Sequence, residues 1–426
     1  MRSVIFIAIL AGLFTLAMVT GCSDRGTNAP LVSDPDVWNY NDNAKQVFSP
    51  QLRFQIRNPE ELLLMAVYTP KISWPPSYGG ENKKVPLLIL LPPQDGDQFY
   101  YFNHGLYNLV EEMIAKKEIR PMAIATISND RVFGGYFYGN SYPAGFYDSI
   151  FGDTYNSLID WLLSDYPMIL PQASQHAIGG IGMGAYGAFR AAIKHPGVYS
   201  AISVLDGPMD FDGPTGTGGL MNLFDSVIAE QGLIPDSFKV GLDTSRVQPV
   251  SRMFIGGSLA FSPTDTLVDY DITADTNADG DTLEVHINFV NRYQWTTDST
   301  TMITELIDAS GLSPNDNTGF DFMLPFDSIG NPHAPVWNLW LDNNLEKLNN
   351  GNPGLTGVAM WFGTTPEADH GFYDQTQSWI SYLRGLGYTP EVKEYRGTPD
   401  KPAREGEYVY DLMREMLIFH SKNFGN

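Results

Sequence analysis

Residues 179–207 read GGIGMGAYGAFRAAIKHPGVYSAISVLDG, and this stretch constrains the fold more than any other. An apolar segment enters a turn rich in glycine, a helical pattern leaves the turn, and a second apolar segment follows. Two buried strands joined through a helix form a right-handed crossover and lie parallel in one sheet. The stretch therefore predicts an α/β protein with a mostly parallel sheet.

The same alternation of buried strands and amphipathic helices continues along the chain. It predicts a doubly wound sheet with helices on both faces. The predicted strands are 87–91, 122–127, 177–181, 201–205, 357–362 and 391–395. The predicted helices are 106–117, 154–163 with Asp153 as its cap, 184–194, 373–386 and 408–420.

The glycine turn has the frame of a nucleophile elbow, in which a serine follows a strand and precedes a helix as G-x-S-x-G. Here the five residues are Gly180, Ile181, Gly182, Met183 and Gly184. The position of the nucleophile is therefore occupied by Gly182, which has no side chain.

The N-terminus predicts export and lipidation. Arg2 precedes an apolar run that is shorter than a membrane span and closes on LAMVTGC. This close resembles the lipobox of bacterial lipoproteins, and Cys22 is the one cysteine of the chain. We expect a signal peptide over 1–21, a lipid on Cys22, and a location on the extracytoplasmic side of the bacterial envelope.

Composition divides the rest of the chain. Residues 22–48 are polar and predict a flexible tether, and residues 49–426 form the predicted domain. A segment at about 263–320, rich in Asp, Thr and Asn, predicts an acidic insertion into that domain. The formal net charge of −23 opposes binding to nucleic acid, because phosphate backbones carry the same sign of charge.

From the elbow outward the chain resembles the esterase D-like branch of the α/β-hydrolases, which includes feruloyl esterases and S-formylglutathione hydrolases. The resemblance covers 179–207, YGNSYPAGFYD at 138–148, and the segments AFSP and LPFD at 260–263 and 324–327. It implies the α/β-hydrolase fold, carboxylic-ester hydrolysis, and a substrate cleft near Tyr138, Asn140, Ser141 and Tyr147. A small ester is the implied ligand, and no cofactor is expected to be required. Aromatic residues such as Tyr101, Phe137 and Tyr147 gather where that cleft would lie, and they form either part of the core or a platform for an aromatic or carbohydrate ligand.

The catalytic positions that the resemblance implies are all substituted. A serine triad needs a hydroxyl, an imidazole that takes its proton, and a carboxylate that orients the imidazole. Gly182 stands for the serine, Pro366 for the acid and Pro399 for the histidine. The oxyanion position comprises Met183, Pro93 and Gln94. Pro92 and Pro93 stand where the family has His-Gly, and proline has no N–H, so the amide of Met183 is the donor expected to remain.

Other residues near these positions could carry displaced chemistry. Glu367, Asp369 and His370 cluster beside the acid position, whereas Ser258 and the remaining histidines are interpreted as structural. In the insertion, Asp275, Asn277, Asp279 and Asp281 alternate as in the start of a calcium loop. His286 stands where that loop would need a bidentate glutamate, so an acidic turn without calcium is the alternative.

Three functional hypotheses follow. The first is a lipid-anchored esterase-like protein without catalysis, which uses its cleft for binding or scaffolding. The second is an active ester hydrolase with displaced residues. The third is an interaction protein that meets a partner through the acidic insertion.

Overall fold

A computed structural model describes the chain in segments, and every structural statement below concerns these residues. They are 39–40, 47–48, 51–54, 61–70, 72–73, 83–128, 137–141, 145–146, 150–152, 157–212, 219–230, 249–262, 274–276, 283–285, 293–297, 304–308, 324–326, 332, 334–351, 353–396 and 405–425.

A nine-stranded sheet organises the described residues. Its strands are β1 (Val47–Phe48), β2 (Gln51–Phe54), β3 (Glu61–Tyr68), β4 (Leu87–Leu91), β5 (Ala123–Ile127), β6 (His176–Ile181), β7 (Ala201–Leu205), β8 (Ala359–Thr364) and β9 (Glu391–Glu394). Their order across the sheet is β9-β8-β7-β6-β4-β5-β3-β1, and β2 also pairs with β3. The strands from β4 to β9 are parallel to one another, whereas β3 is antiparallel to β5, and β1 and β2 are antiparallel to β3.

Ten α-helices are described. They are α1 (Tyr100–Asn103), α2 (Leu106–Ala115), α3 (Leu158–Asp165), α4 (Met183–Lys194), α5 (Phe224–Glu230), α6 (Pro249–Phe261), α7 (Ala334–Leu341), α8 (Leu345–Asn349), α9 (Phe372–Gly385) and α10 (Glu405–Asn423). Short 3₁₀ helices lie at Ala173–Gln175, Gly219–Leu223, Pro353–Leu355 and Asp369–Gly371.

The helices cover both faces of the sheet. On one face, Phe189 of α4 stacks on Phe362 of β8, with ring centroids 5.4 Å apart. On the other, His420 of α10 contacts Ser203 of β7. Ser203 is in register with Trp361, one residue before Phe362, and successive residues of a strand point to opposite faces. The central strands β4 to β7 are fully buried, as the predicted doubly wound sheet requires.

The predicted elements match the observed ones within a few residues, with one clear difference. The helix predicted over 154–163 spans Leu158–Asp165, and its cap is Ser157, whose hydroxyl accepts a hydrogen bond from the Asp160 amide at 3.1 Å. The predicted cap, Asp153, lies outside the described residues. Serine at this position satisfies an amide that the first helical turn leaves without a partner.

The domain begins earlier than predicted. Asn39–Tyr40 pairs with Ile72–Ser73, and β1 pairs with β3 in the main sheet. The last part of the predicted tether over 22–48 is therefore paired with the domain. Cys22 and the predicted signal peptide lie outside the described residues. None of the helices described here is both long and apolar enough to cross a membrane.

The predicted insertion contains two hairpins among its described residues. Ala274–Thr276 pairs with Leu283–Val285, and Tyr293–Thr297 pairs with Thr304–Asp308. A further short pair joins Asn140–Ser141 to Gly145–Phe146.

Candidate functional site

The elbow keeps its geometry although it has no nucleophile. Gly182 joins β6 to α4 with φ 55° and ψ −121°, a backbone conformation that strains residues with a side chain. Its amide donates to the carbonyls of Leu205 at 3.1 Å and Asp206 at 2.7 Å, at the end of β7. Glycine adopts this turn at little steric cost, and the neighbouring strand holds the turn in place.

The glycines on either side of the turn are required by close backbone approach. A Cβ added at Gly180 would lie 2.2 Å from the Gly184 carbonyl carbon. One added at Gly184 would lie 2.1 Å from the Leu91 carbonyl oxygen at the end of β4. Strand and helix can therefore meet at this distance only where neither position carries a side chain.

At the predicted oxyanion position, tyrosines bind the carbonyls of the chain beyond β4. The Tyr101 hydroxyl donates to Leu91 O at 2.7 Å, and the Tyr138 hydroxyl donates to Pro92 O at 2.8 Å. Pro93 contributes no N–H, and the Gln94 side chain donates to the Pro249 carbonyl at 2.7 Å. The side chains of Gln94, Tyr101 and Tyr138 therefore donate to backbone carbonyls here.

The space beside the elbow is filled by side chains. Met183 is only 2% exposed, and its sulfur accepts a hydrogen bond from the Phe137 amide at 3.3 Å. Phe137 and Tyr138 both have φ near 50°, which is uncommon for residues other than glycine. Phe137 packs edge-on against Tyr186 and Trp340, within a larger aromatic cluster.

These contacts correct the predicted substrate cleft. Tyr138 is 1% exposed and belongs to the core, because its ring and hydroxyl are both engaged beside the elbow. Asn140 is exposed, and Ser141 lies in a two-residue strand of which only the backbone is described. Tyr147 lies outside the described residues.

The acid position after β8 is occupied by Pro366, and the described residues that directly follow it lie at the surface. Pro366 and Glu367 are exposed, and Asp369 and His370 belong to a 3₁₀ helix. The His370 ring lies 5.7 Å from the Phe372 ring and is also exposed. Pro399, at the histidine position, lies outside the described residues.

A buried carboxylate that the sequence reasoning missed lies at the end of β7. Asp206 is 2% exposed and accepts hydrogen bonds from the Thr364 hydroxyl at 2.6 Å and the Thr365 amide at 2.7 Å. It therefore ties the end of β7 to the end of β8, next to the elbow. Its signal in the sequence is an aspartate directly after a buried strand, in VLDG.

One serine and one histidine lie within hydrogen-bond distance of each other, but neither belongs to the elbow turn. His420 Nε2 is 2.6 Å from Ser203 Oγ, in the middle of β7, and both residues are completely buried. Burial lowers the pKa of His420 to about 3, and its Nδ1 has no hydrogen-bond partner among the described residues. Without a carboxylate on Nδ1 and without access, the pair lacks the arrangement of a triad.

Ser258 lies in α6 and is fully buried, and its hydroxyl has no hydrogen-bond partner in the described part of the chain. The helix and the burial keep this hydroxyl away from any substrate, in accord with its structural interpretation.

An open cleft of about 1140 Å³ lies to one side of the elbow, and we call it the acidic cleft. It lies between α9, the 3₁₀ helix Gly219–Leu223 and the start of α8. Its lining includes neither Gly182 nor Met183. The lining residues that matter for its chemistry are Asp210, Glu346, His370, Asp374, Gln375 and Tyr382.

The predicted calcium loop falls largely outside the described residues. Asp275 lies in the strand Ala274–Thr276, whereas Asn277, Asp279 and Asp281 are not described. In the described segments, no group of three or more His, Cys, Asp or Glu residues could hold a metal ion.

Comparison with known proteins finds a family model that matches part of the chain. Residues 66–214 match the model of a putative esterase family. Among solved structures, a ferulic acid esterase is 14% identical, with 89% of this chain and 99% of that chain covered and a TM-score of 0.49. An S-formylglutathione hydrolase from Staphylococcus aureus is 11% identical, with coverages of 88% and 99% and a TM-score of 0.42.

A feruloyl esterase module from Clostridium thermocellum is 12% identical, with coverages of 91% and 92% and a TM-score of 0.41. Comparison with curated proteins gives no significant match. The assignment therefore rests on the family match and on the sheet. Residues 66–214, which contain β4 to β7 and the elbow between β6 and α4, are similar to the putative esterase family, and the chain has the α/β-hydrolase fold.

Proposed function

We propose that this protein is a non-catalytic member of the esterase family, in which the elbow is a structural junction and the molecule acts by binding. The observation that carries the proposal is Gly182. It occupies the nucleophile position in the elbow conformation, and it has no atom that could attack an ester carbonyl.

Two further observations support the proposal. Pro366 replaces the acid and is exposed, so no carboxylate at that position orients a histidine toward the elbow. Met183 and Tyr138 are buried next to Gly182, where an ester would need to enter. Because triad members act as a unit, replacing one of them already removes most of the rate, and here each position is substituted.

The test is a hydrolase assay on the full chain. The wild type, Gly182→Ser, and the combined Gly182→Ser, Pro366→Asp, Pro399→His protein are compared on p-nitrophenyl acetate and a feruloyl ester. We expect no turnover above background for the wild type or for Gly182→Ser. A hydroxyl without a base stays protonated and is a poor nucleophile. Labelling by a fluorophosphonate probe gives a second readout and should also be negative.

An active ester hydrolase with displaced residues is the alternative, and one observation favours it. His370 lines the acidic cleft together with the hydroxyls of Ser226 and Ser378. The Ser378 hydroxyl, however, donates to the Asp210 carboxylate at 2.7 Å, and not to a histidine that could act as its base. Wild-type turnover that disappears in His370→Ala or Glu367→Gln, and survives in Asp411→Asn, would establish this alternative and refute the non-catalytic proposal.

The location is part of the proposal. A lipid on Cys22 would hold the domain at the extracytoplasmic surface of the envelope, because several acyl chains on one thiol anchor a protein stably. Metabolic labelling with a fatty-acid analogue should mark the wild type and leave Cys22→Ser unmarked and soluble. An unlabelled wild type would remove the anchor from the proposal.

Calcium binding by the loop from Asp275 to Asp281 is likewise proposed from its oxygen donors at alternate positions. The expected affinity is weak, at about 10⁻⁴–10⁻³ M, as in extracellular modules. A thermal melt that neither millimolar calcium nor a chelator changes would leave an acidic turn that binds nothing.

A further inference from the structure

We propose that Asn350 is a site of spontaneous covalent modification, at which the side-chain amide is lost and an aspartyl or isoaspartyl residue forms. The site lies between α8 and the 3₁₀ helix Pro353–Leu355, outside the elbow. The proposal concerns the chemistry of one turn, so it does not depend on whether the protein hydrolyses esters.

The sequence supplies the reacting pair. Asn350 and Gly351 form the one Asn-Gly pair of the chain. An asparagine side chain reacts with the backbone amide of the residue that follows it, and a side chain on that following residue obstructs the approach. Glycine has no side chain, and it adopts backbone conformations that other residues avoid. Asn-Gly is therefore the pair in which this reaction is least hindered.

In the structure, the pair forms an exposed turn at the end of α8. Asn350 has φ −65° and ψ 114°, and Gly351 has φ 72°. These angles match a type II β-turn, which favours glycine at its second central position. Both residues are exposed to solvent, so water and hydroxide have access to the turn.

The reacting groups are not held by other parts of the protein. Among the described residues, neither the Asn350 side chain nor the Gly351 amide has a hydrogen-bond partner. A Cβ added at Gly351 would meet no atom within 4 Å. The peptide between the two residues therefore has room to rotate until its nitrogen faces Cγ of Asn350.

The preceding residue, Asn349, has none of these features and is a natural control. It lies inside α8 and is only 5% exposed. The amide that would attack its side chain is that of Asn350, which donates to the Lys347 carbonyl at 3.3 Å. The two asparagines are adjacent in the sequence and differ in burial and in the amide that follows them.

The reaction is a cyclisation followed by hydrolysis. The Gly351 nitrogen loses its proton to hydroxide and attacks Cγ of Asn350. The N–Cγ bond forms as the Cγ–Nδ2 bond breaks, and Nδ2 takes up a proton and leaves as ammonia, so that a cyclic imide remains. Water then adds to either imide carbonyl and opens the ring, which gives aspartate or isoaspartate. The rate rises with pH because the attacking nitrogen must be deprotonated.

The product changes the charge and the length of this connection. A carboxylate at the C-terminal end of a helix is unfavourable next to the last carbonyls. Isoaspartate also adds a backbone carbon before the 3₁₀ helix, where a Cβ added at Gly354 would lie 2.5 Å from the Ile193 carbonyl oxygen of α4. This close packing leaves little room for a longer connection.

The experiment is incubation of the folded full chain in heavy-oxygen water, at mildly acidic and mildly alkaline pH, followed by peptide mass spectrometry. We expect labelled aspartate and isoaspartate at the position of Asn350, increasing with time and with pH, and an unmodified Asn349 on the same peptide. No labelling at Asn350, or equal labelling of Asn349 and Asn350, would overturn the proposal.

Two further comparisons test the turn and the cyclic intermediate. Asn350 in the folded protein should react within several-fold of its rate in the chain unfolded by guanidinium, and strong protection in the folded state would refute an open turn. Asn350→Gln keeps a side-chain amide but needs a larger ring, so the labelling should be lost. Labelling of this variant at the wild-type rate would mean direct hydrolysis and would refute the cyclisation.

Thermal unfolding gives a readout of the longer connection. The modified protein, separated from the unreacted protein by ion exchange, should unfold at a lower temperature than Asn350→Asp, which carries the added charge alone. Equal unfolding temperatures would refute the expected effect of the additional backbone carbon.

Discussion

The elbow and the acidic cleft lie next to each other and are built in opposite ways. The elbow is made of backbone: Gly180, Gly182 and Gly184 bring a strand and a helix into contact, and Met183 fills the space with apolar atoms. The cleft is lined mostly by side chains from helices, with Asp210 from the loop after β7, and it is open and charged. The difference shows that the backbone of an elbow turn can be held by close steric contacts even where the central residue is glycine.

The largest expected effect tests whether the elbow is a steric junction. Gly184→Ala places a methyl group 2.1 Å from the Leu91 carbonyl oxygen, so strand β4 or helix α4 must move. We expect a loss of about 4 kcal/mol or more in the free energy of unfolding in urea, or failure to fold.

The matched control is Gly385→Ala at the end of α9, where an added Cβ meets no atom within 4 Å. It should be neutral or slightly stabilising, because alanine loses less backbone entropy in a helix. Equal stability of the Gly184→Ala and Gly385→Ala proteins would contradict the steric account of the elbow.

The next effect concerns His420, which is buried against Ser203 of β7. The pKa of His420 is about 3 in the folded protein and 6.5 in the reference state, so the unfolded chain binds more protons between these values. The stability that His420 contributes is complete above about pH 6.5 and is lost as the pH falls toward 3. We expect a decrease of a few kcal/mol over that window.

The measurement is urea unfolding from about pH 4 to about pH 8 for the wild type and His420→Gln. The variant should have a flatter profile, with a remaining slope from His176, whose pKa burial also lowers. If both profiles have the same slope, His420 does not titrate as its burial implies.

A smaller effect is expected at the turn itself. Gly182→Ser places a side chain on a residue with φ 55° and should reduce the free energy of unfolding by about 1–3 kcal/mol. Gly182→Ala should lose a similar amount, because the backbone and not the hydroxyl is responsible. A serine variant as stable as the wild type in urea would mean that the turn imposes no strain.

The smallest expected effect on stability concerns Glu346 in the acidic cleft. The raised pKa of Glu346 means that the folded protein holds a proton more tightly than the unfolded chain, so this group lowers stability as the pH rises above 4.5. Glu346→Gln should therefore be as stable as the wild type at neutral pH, or more stable by about a few tenths of a kcal/mol, since solvent screens a half-exposed charge.

Thermal unfolding of Glu346→Gln and the wild type at about pH 5 and about pH 7 checks the sign of this effect. Asp411→Asn is the control, and its difference in stability from the wild type should be the same at both pH values. A Glu346→Gln protein that is clearly less stable at neutral pH would contradict the view that the cleft is short of positive charge.

The sequence by itself determined the sheet and the glycine at the position of the elbow nucleophile. Buried strands such as 87–91 and 201–205 were predicted with their observed bounds. A continuous apolar run between turn residues is typical of a strand that is buried on both faces of a parallel sheet. Gly182 could be recognised because a nucleophile elbow has a local sequence pattern. The sequence did not decide whether Ser157 or Asp153 caps the helix, because serine and aspartate are both common at the N-cap and the apolar pattern does not fix the first helical residue.

Only the tertiary structure decided what lies around the elbow. Tyr138 was expected in a cleft and is in the core, because its environment is made by Pro92 and by the helix α4, far away in the sequence. The buried carboxylate of Asp206 depends on Thr364 and Thr365, more than 150 residues later. The acidic cleft combines Asp210, Glu346 and α9 in the same way. Periodicity reports which face of an element is buried, and it contains no information on which distant side chains meet there.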